Sequence, residues 1–285
     1  MKLTAQQLEH VDHALDFIEA HLNLPVRVED ISQHVGYSLF HFCRIFNAAT
    51  HISPYTYLMR RRISEAALQI IHSKRRLTDI AVDFGFQSSE VFGRSIKRLF
   101  GLLPSELRKA GMLDPRLILP ALTPEKLVIW QNFQGYTMKK EEVPAFTLSG
   151  VMTRWDGSAA ALQICRQSLH QGVNHSLSAG QVSVRFFPDH WSLDGMYYFA
   201  GYKFPNTNCA TPEWFVEKTF AAQPFLVTSS GVDPTETEAL LDFYQCVWFP
   251  TSSYRVDVPF LLEKTLGEGQ VQIAWPTQAK TWLNG

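Results

Sequence analysis

Apolar residues recur at helical spacing from the start of the chain. Leu8, Val11, Leu15, Ile18 and Leu22 follow Thr4 and Gln7, a capping-box start that predicts a first helix. VRVEDISQHVGYS then reads as a short helix with Ile31 and Val35 inward, stopped by Gly36, which suits the left-handed turn that ends a helix. A further helix runs from about Ser38 to Ala48, with Phe42, Ile45, Phe46 and Ala49 on its apolar stripe. Its opposite stripe is Phe40, Cys43, Arg44 and Asn47. About fifty residues on, the pattern returns: Ile80 and Phe84 inward, Gly85 as the stop, then Phe92, Ile96 and Leu99 buried on a helix near 88–99. Glu90, Gly93, Arg94 and Lys97 form the matching outer stripe, and Pro54 and Pro104 keep the same offset. Between the copies, YLMRRRISEAALQII reads as one long helix with Met59, Ile63, Ala66, Ala67 and Ile70 inward.

Past Gly111 the period changes. GMLDPRLILPALTPEKLVIWQNF carries three prolines and no sustained period, so 111–136 is expected to be a packed connector. MKKEEVPAFTLSGVMTRW alternates as a strand, GSAAALQICRQSLHQGV is an amphipathic helix, and VSVRFF and GMYYFAGYKF are strands. The order then recurs: a strand pair in FVEKTFAAQPFLVTSSG, a helix in PTETEALLDFYQCVWF, and strands in VPFLLEKTL and QVQIAWP. Two strand-helix-strand-strand pseudo-repeats predict an antiparallel sheet with helices on one face. The expected fold class is therefore multidomain, an all-α domain of repeated helix pairs over 1–110 followed by an α+β domain over 137–285.

Charge sharpens this division. Residues 25–110 carry 13 basic against 7 acidic side chains, whereas 114–285 carry 12 against 16. All seven Trp lie beyond residue 113. Helix, glycine turn and a second helix with an outward arginine, set in a basic region, is the helix-turn-helix plan for double-stranded DNA. The run Arg60-Arg61-Arg62 suits phosphates, onto whose oxygens a guanidinium forks. Cys43, Cys165, Cys209 and Cys246 match no metal or redox spacing, so neither metal nor cofactor is expected, and a reducing cytoplasm fits. The N-terminus is too polar for a signal peptide, and no apolar run approaches the roughly 20 residues of a membrane span.

The motifs RRRISEAALQI, LTDIAVDFGF, FGRSIKRLFG and LPSELRK, in this order and spacing, resemble the DNA-binding domain of AraC/XylS-type bacterial transcription regulators. That resemblance covers about 25–110 and implies two helix-turn-helix units joined by a rigid helix, reading successive major grooves. It implies base-reading roles for Phe40, Cys43 and Arg44, and for Ser89, Glu90 and Arg94. Gly93 offers no side chain there, and Glu90 stands where relatives often carry an uncharged polar residue. Phosphate contacts are expected from Arg60, Arg61, Arg62, Lys97 and Arg98. More softly, EEVPAFTLSG, FPTSSYRVDVPFLLEKTL and VQIAWPT resemble a GyrI-like effector-binding domain over about 137–278. The implied acidic position is Glu263, meeting a cationic, often aromatic, ligand, with Trp155, Tyr197, Tyr202, Trp214 and Tyr244 as candidate ring partners. The expected partners are DNA and a small effector. The other readings of the second domain are a Glu-dependent hydrolase and a ligand-free module that contacts RNA polymerase or another protein.

Overall fold

The structure, a computed structural model, describes residues 3–132, 137–155, 159–171, 181–187, 195–203, 212–228, 231–233, 235–256, 258–266 and 270–279. Trp191, Trp282 and Cys209 lie outside the described residues. The chain divides into two compact units, Met1–Gln134 with Glu238–Pro250, and Gly135–Thr237 with Thr251–Gly285. Among the described residues, no helix is long and apolar enough to cross a membrane.

The first unit is helical: α1 (Ala5–Ala20), α2 (Val28–His34), α3 (Leu39–Thr50), α4 (Pro54–His72), α5 (Leu77–Asp83), α6 (Ser89–Phe100), α7 (Pro104–Ala110) and α8 (Pro124–Gln131). Thr4 and Gln7 close the expected capping box on α1, with the Thr4 side chain accepting from the Gln7 N–H. Gly36 and Gly85 end α2 and α5 at φ 73° and 74°, where a side chain would clash with the backbone. The N–H of Tyr37 returns to Ser32 and that of Phe86 to Ala81, so the two turns close alike. Ser38 and Ser88 then cap α3 and α6. One extra residue, Gln87, sits in the second turn, while the helices after both turns stay in register at an offset of fifty.

The connector is part of this unit rather than a spacer beside it. Tyr57, Arg61 and Ser64 lie on one stripe of α4 and hold it by three hydrogen bonds. The Tyr57 hydroxyl accepts from the Leu122 N–H at 3.1 Å, Arg61 donates to the Leu119 carbonyl at 2.7 Å, and Ser64 Oγ accepts from the Leu119 N–H at 3.0 Å. Trp130, fully buried, donates its indole N–H to the Ala239 carbonyl at 2.9 Å. Ala239 belongs to α10 (Thr237–Phe243), which runs on through a π-helical turn (Tyr244–Trp248) into α11 (Phe249–Thr251). Lys126 pairs with Asp242 at 2.6 Å. These contacts explain why 238–250, which lies between strands of the second unit in sequence, belongs to the first.

Among its described residues, the second unit holds an eight-stranded antiparallel sheet and the helix α9 (Ala159–Gln171). Its strands are β1 (Met138–Val143), β2 (Phe146–Trp155), β3 (Gln181–Phe186), β4 (Met196–Tyr202), β5 (Val216–Phe220), β6 (Gln223–Thr228), β8 (Phe260–Thr265) and β9 (Val271–Pro276). The short β7 (Tyr254–Arg255) and β10 (Gln278–Ala279) pair separately. The single strand expected across 138–155 is in fact two, because Pro144 has no N–H to continue a ladder. β1 accordingly departs to pair with β6. The order β1-β6-β9-β8-β3-β4-β2-β5 reads the same from either edge once β1, β2, β3 and β4 are exchanged for β5, β6, β8 and β9. One face carries Leu148, Val184, Phe199, Phe225 and Leu262. α9 packs against the other face, over β2 and β4.

His51 occupies the position that Gly101 fills fifty residues later, and both follow their helix in the left-handed conformation, at φ 60° and 75°. That costs a residue with a side chain about 1–2 kcal/mol. The ring offsets the cost, as Nε2 donates to the Trp130 carbonyl at 2.9 Å and the imidazole meets Phe243 edge-on. Burial pushes the imidazole below its ordinary value of 6.5. The unfolded chain therefore takes up the proton first, and this group's contribution is present above pH 6.5 and falls as the pH drops below it. Urea unfolding at pH 7.5 and 5.5 is expected to show a larger acid-induced loss in the wild type than in His51→Gln; equal losses would contradict this role.

Candidate functional site

On α3 the buried side is Phe42, Ile45, Phe46 and Ala49, which leaves Phe40, Arg44 and Asn47 outward. Phe40 is 81% exposed, a large apolar surface with no cover among the described residues. Cys43 is half-buried, and burial raises its thiol, as a packing residue at the edge of the face requires. On α6 the buried side is Phe92, Ile96 and Phe100, and Ser89, Glu90, Arg94, Lys97 and Arg98 are exposed. Arg44 and Arg94 thus hold the same place on two helices that are capped and turned alike. An open cleft bordered by Leu77, Thr78, Glu90, Arg94 and Pro104 runs beside α6.

Arg60, Arg61 and Arg62 are not on that surface, contrary to the phosphate role expected of them. α4 is the central helix of its unit, so the run points inward and is consumed there. Arg61 forks onto Glu19 at 2.9 and 2.7 Å and reaches Glu65 at 2.8 Å. Arg62 donates to the carbonyls of Leu22, Leu24 and Val26, fixing the passage from α1 to α2. Arg60 donates to the Cys246 carbonyl, and its Nε is buried without a partner among the described residues. Arg61→Ala would leave Glu19 and the Leu119 carbonyl uncompensated and is expected to cost about 3–5 kcal/mol in denaturant unfolding. A variant as stable as the wild type, with a shallower salt dependence of DNA binding, would restore the phosphate role.

In the second unit Glu263 is 2% exposed and stands on the face that α9 covers. Directly opposite is Ser183 of β3, and Arg185, two residues along on the same face, lies diagonal to it. Arg185 Nε donates to Glu263 Oε1 at 2.5 Å, and Arg166 of α9 reaches Oε2 at 3.2 Å. Tyr198 of β4 accepts from Arg166 Nε at 2.9 Å and donates to Oε2 at 3.4 Å, with its phenol pushed up by burial and by the carboxylate. The Arg185 guanidinium lies over the Trp155 ring, 4.9 Å from its centroid. The carboxylate expected to await a cationic ligand is therefore already held by two guanidinium groups.

Of the expected ring partners, Trp155 joins this cluster through Arg185. Tyr202 shares the face, with its hydroxyl 3.4 Å from His170 Nδ1. Tyr197 points to the other side of the sheet, since neighbours along a strand alternate. Trp214 stands in the turn before β5, 52% exposed and edge-on to Phe215. Tyr244 belongs to the first unit and is fully buried, in ring contact with Phe243, Trp248 and Phe249. Tyr197 thus lies on the opposite face of the sheet from Glu263, and Tyr244 belongs to the other unit. The residues that sequence reasoning missed are Arg166, Arg185 and Tyr198. A charged residue inside the otherwise apolar strand QVSVRF was the available signal for Arg185.

A family model described as a helix-turn-helix domain matches residues 31–110. Regulatory protein SoxS of Salmonella typhimurium is 31% identical over 94 residues, which cover 33% of this chain and 88% of SoxS. YkgA of Escherichia coli is 34% identical over 107 residues, 38% of this chain and 45% of YkgA. YbfP of Bacillus subtilis is 34% identical over 98 residues, 34% of this chain and 33% of YbfP. The chain therefore spans less than half the length of the last two relatives. With SoxS matched over most of its length, the chain belongs to the AraC/XylS family of transcription regulators.

Proposed function

We propose that this chain is a one-component transcription regulator that reads two successive major grooves with α3 and α6, roughly 34 Å apart. The observation that carries the reading is the repetition itself. Two helices, each after a left-handed glycine turn and each capped by serine, present Arg44 and Arg94 at the same point of an exposed stripe. Arg44 and Arg94 are assigned to guanine edges, where a bidentate arginine is the commonest specific contact. Phe40 suits a thymine methyl, and Ser89 and Glu90 face bases beside Arg94, with Glu90 accepting from a cytosine amine. Lys97 and Arg98 are assigned to phosphates. Cys43 contributes packing more than readout.

The second unit is proposed to be a GyrI-like effector-binding domain arisen by duplication of a strand-strand-helix-strand-strand unit. The reversible strand order supports duplication, and the charged cluster under α9 supports a ligand role. A hydrolase is disfavoured because Glu263, tied to two guanidinium groups, is a poor general base. Cys165 is no better a nucleophile, with its thiol pushed up to about 11 by burial.

Arg44→Ala and Arg94→Ala are each expected to cost about 1–3 kcal/mol in binding a selected site and to relax specificity at one base pair. Lys97→Ala should weaken all sequences alike and reduce the slope of log K against log salt by about 1. Gel-shift titrations on specific and random duplexes read both effects. Equal losses on the two duplexes for Arg44→Ala would remove its base-reading role.

A further inference from the structure

The arginines of the first unit sort into two groups. Arg60, Arg61, Arg62, Arg75, Arg108 and Arg116 donate to acceptors within the unit. Arg27, Arg44, Arg76, Arg94 and Arg98 are exposed and have no acceptor among the described residues. The repeat matches Arg44 with Arg94. It also matches Arg27 with Arg76, which are 49 residues apart, as are the stopping glycines Gly36 and Gly85.

Both members of this second pair sit at the cap of a helix, Arg27 before α2 and Arg76 before α5. Thr4, Ser38, Ser53 and Ser88 cap α1, α3, α4 and α6 with a hydroxyl, which is what the position favours. Neither arginine makes a cap bond with its side chain. In the first unit the Arg27 backbone N–H donates to Asp30 at 2.7 Å, which leaves the guanidinium unengaged. A local rule is thus broken twice, at the same place in both repeats, and such breaks gather at functional positions.

The two caps also flank the reading helices. Leu77 and Thr78, the first residues of α5, border the cleft that runs beside Arg94. Burial and Glu29, which stands on α2 where Thr78 stands on α5, raise the thiol of Cys43, the neighbour of Arg44. In a helix-turn-helix unit the first helix crosses the sugar-phosphate backbone while the second lies in the groove. The start of α2 and of α5 is therefore where a phosphate strand passes. A guanidinium there forks onto phosphate oxygens, and in the first unit it offsets the repulsion that Glu29 brings.

Resting on the groove-reading function proposed above, we infer that Arg27 and Arg76 are the phosphate anchors that the buried arginine run is not. Each holds the DNA strand beside its own reading helix. They fix the position of α3 and α6 on the duplex and carry no base preference of their own.

The test is binding of the full chain to a selected and a random duplex, titrated between about 50 and 200 mM salt. Arg27→Ala and Arg76→Ala should each lower the slope of log K against log salt by about 0.9, and the double variant by about 1.8, on both duplexes alike. Arg27→Lys and Arg76→Lys should keep the slope of the wild type, because the released counterions follow the charge. An unchanged slope in either alanine variant, a loss that lysine does not restore, or a loss confined to the selected duplex would overturn the inference. If the anchor variants lose slope as expected while Arg44→Ala keeps full base preference, the groove reading falls and the anchors stand. A wild-type chain that binds neither duplex would remove both.

Discussion

A buried arginine has to be given acceptors, and α4 buries two in succession. Arg61 and Arg62 point to different sides of that helix, so their acceptors must come from different directions. Arg61 takes Glu19 of α1, Glu65 of its own helix and the Leu119 carbonyl of the connector. Arg62 takes the carbonyls between α1 and α2. Moving any of these elements would strand a guanidinium in an apolar interior, at a cost of several kcal/mol. α1, α2, α4 and the connector are thereby locked together. Since α4 joins the two helix-turn-helix units, the separation of α3 and α6 is a property of the fold rather than of a flexible hinge.

The second unit uses the same physics with the signs exchanged. There the buried anion, Glu263, is given two arginines and a tyrosine from three separate elements, β3, β4 and α9. The difference lies in what remains unused. Arg61 has acceptors at all three guanidinium nitrogens, as a structural residue should, whereas Arg166 has them at two among the described residues.

Much of the first unit was legible in its apolar spacing. The inward sets of α1, α3 and α6, the stopping glycines and the outward Arg44 and Arg94 all follow from period and turn chemistry. The destination of the arginine run was not legible. Three consecutive arginines look like a surface feature until the number of neighbours around α4 is known, and that number is a tertiary fact. Residues 238–250 illustrate the same limit: their helical pattern was plain, but their partners Trp130 and Lys126 lie more than a hundred residues away. In the sheet, alternation identified strands but not register. Glu263 was found by resemblance, while Arg185 and Arg166 became its partners only once β3, β8 and α9 were placed together.

The central claim is that one chain presents two base-reading helices at a fixed spacing. Hydroxyl-radical footprinting of the full-length chain, on a duplex selected from random sequence, tests it most directly. Two protected patches on one face of the DNA, about 10 base pairs apart and both saturating at one chain per site, are the expected result. A single patch, or two that appear only when a second chain binds, would contradict it.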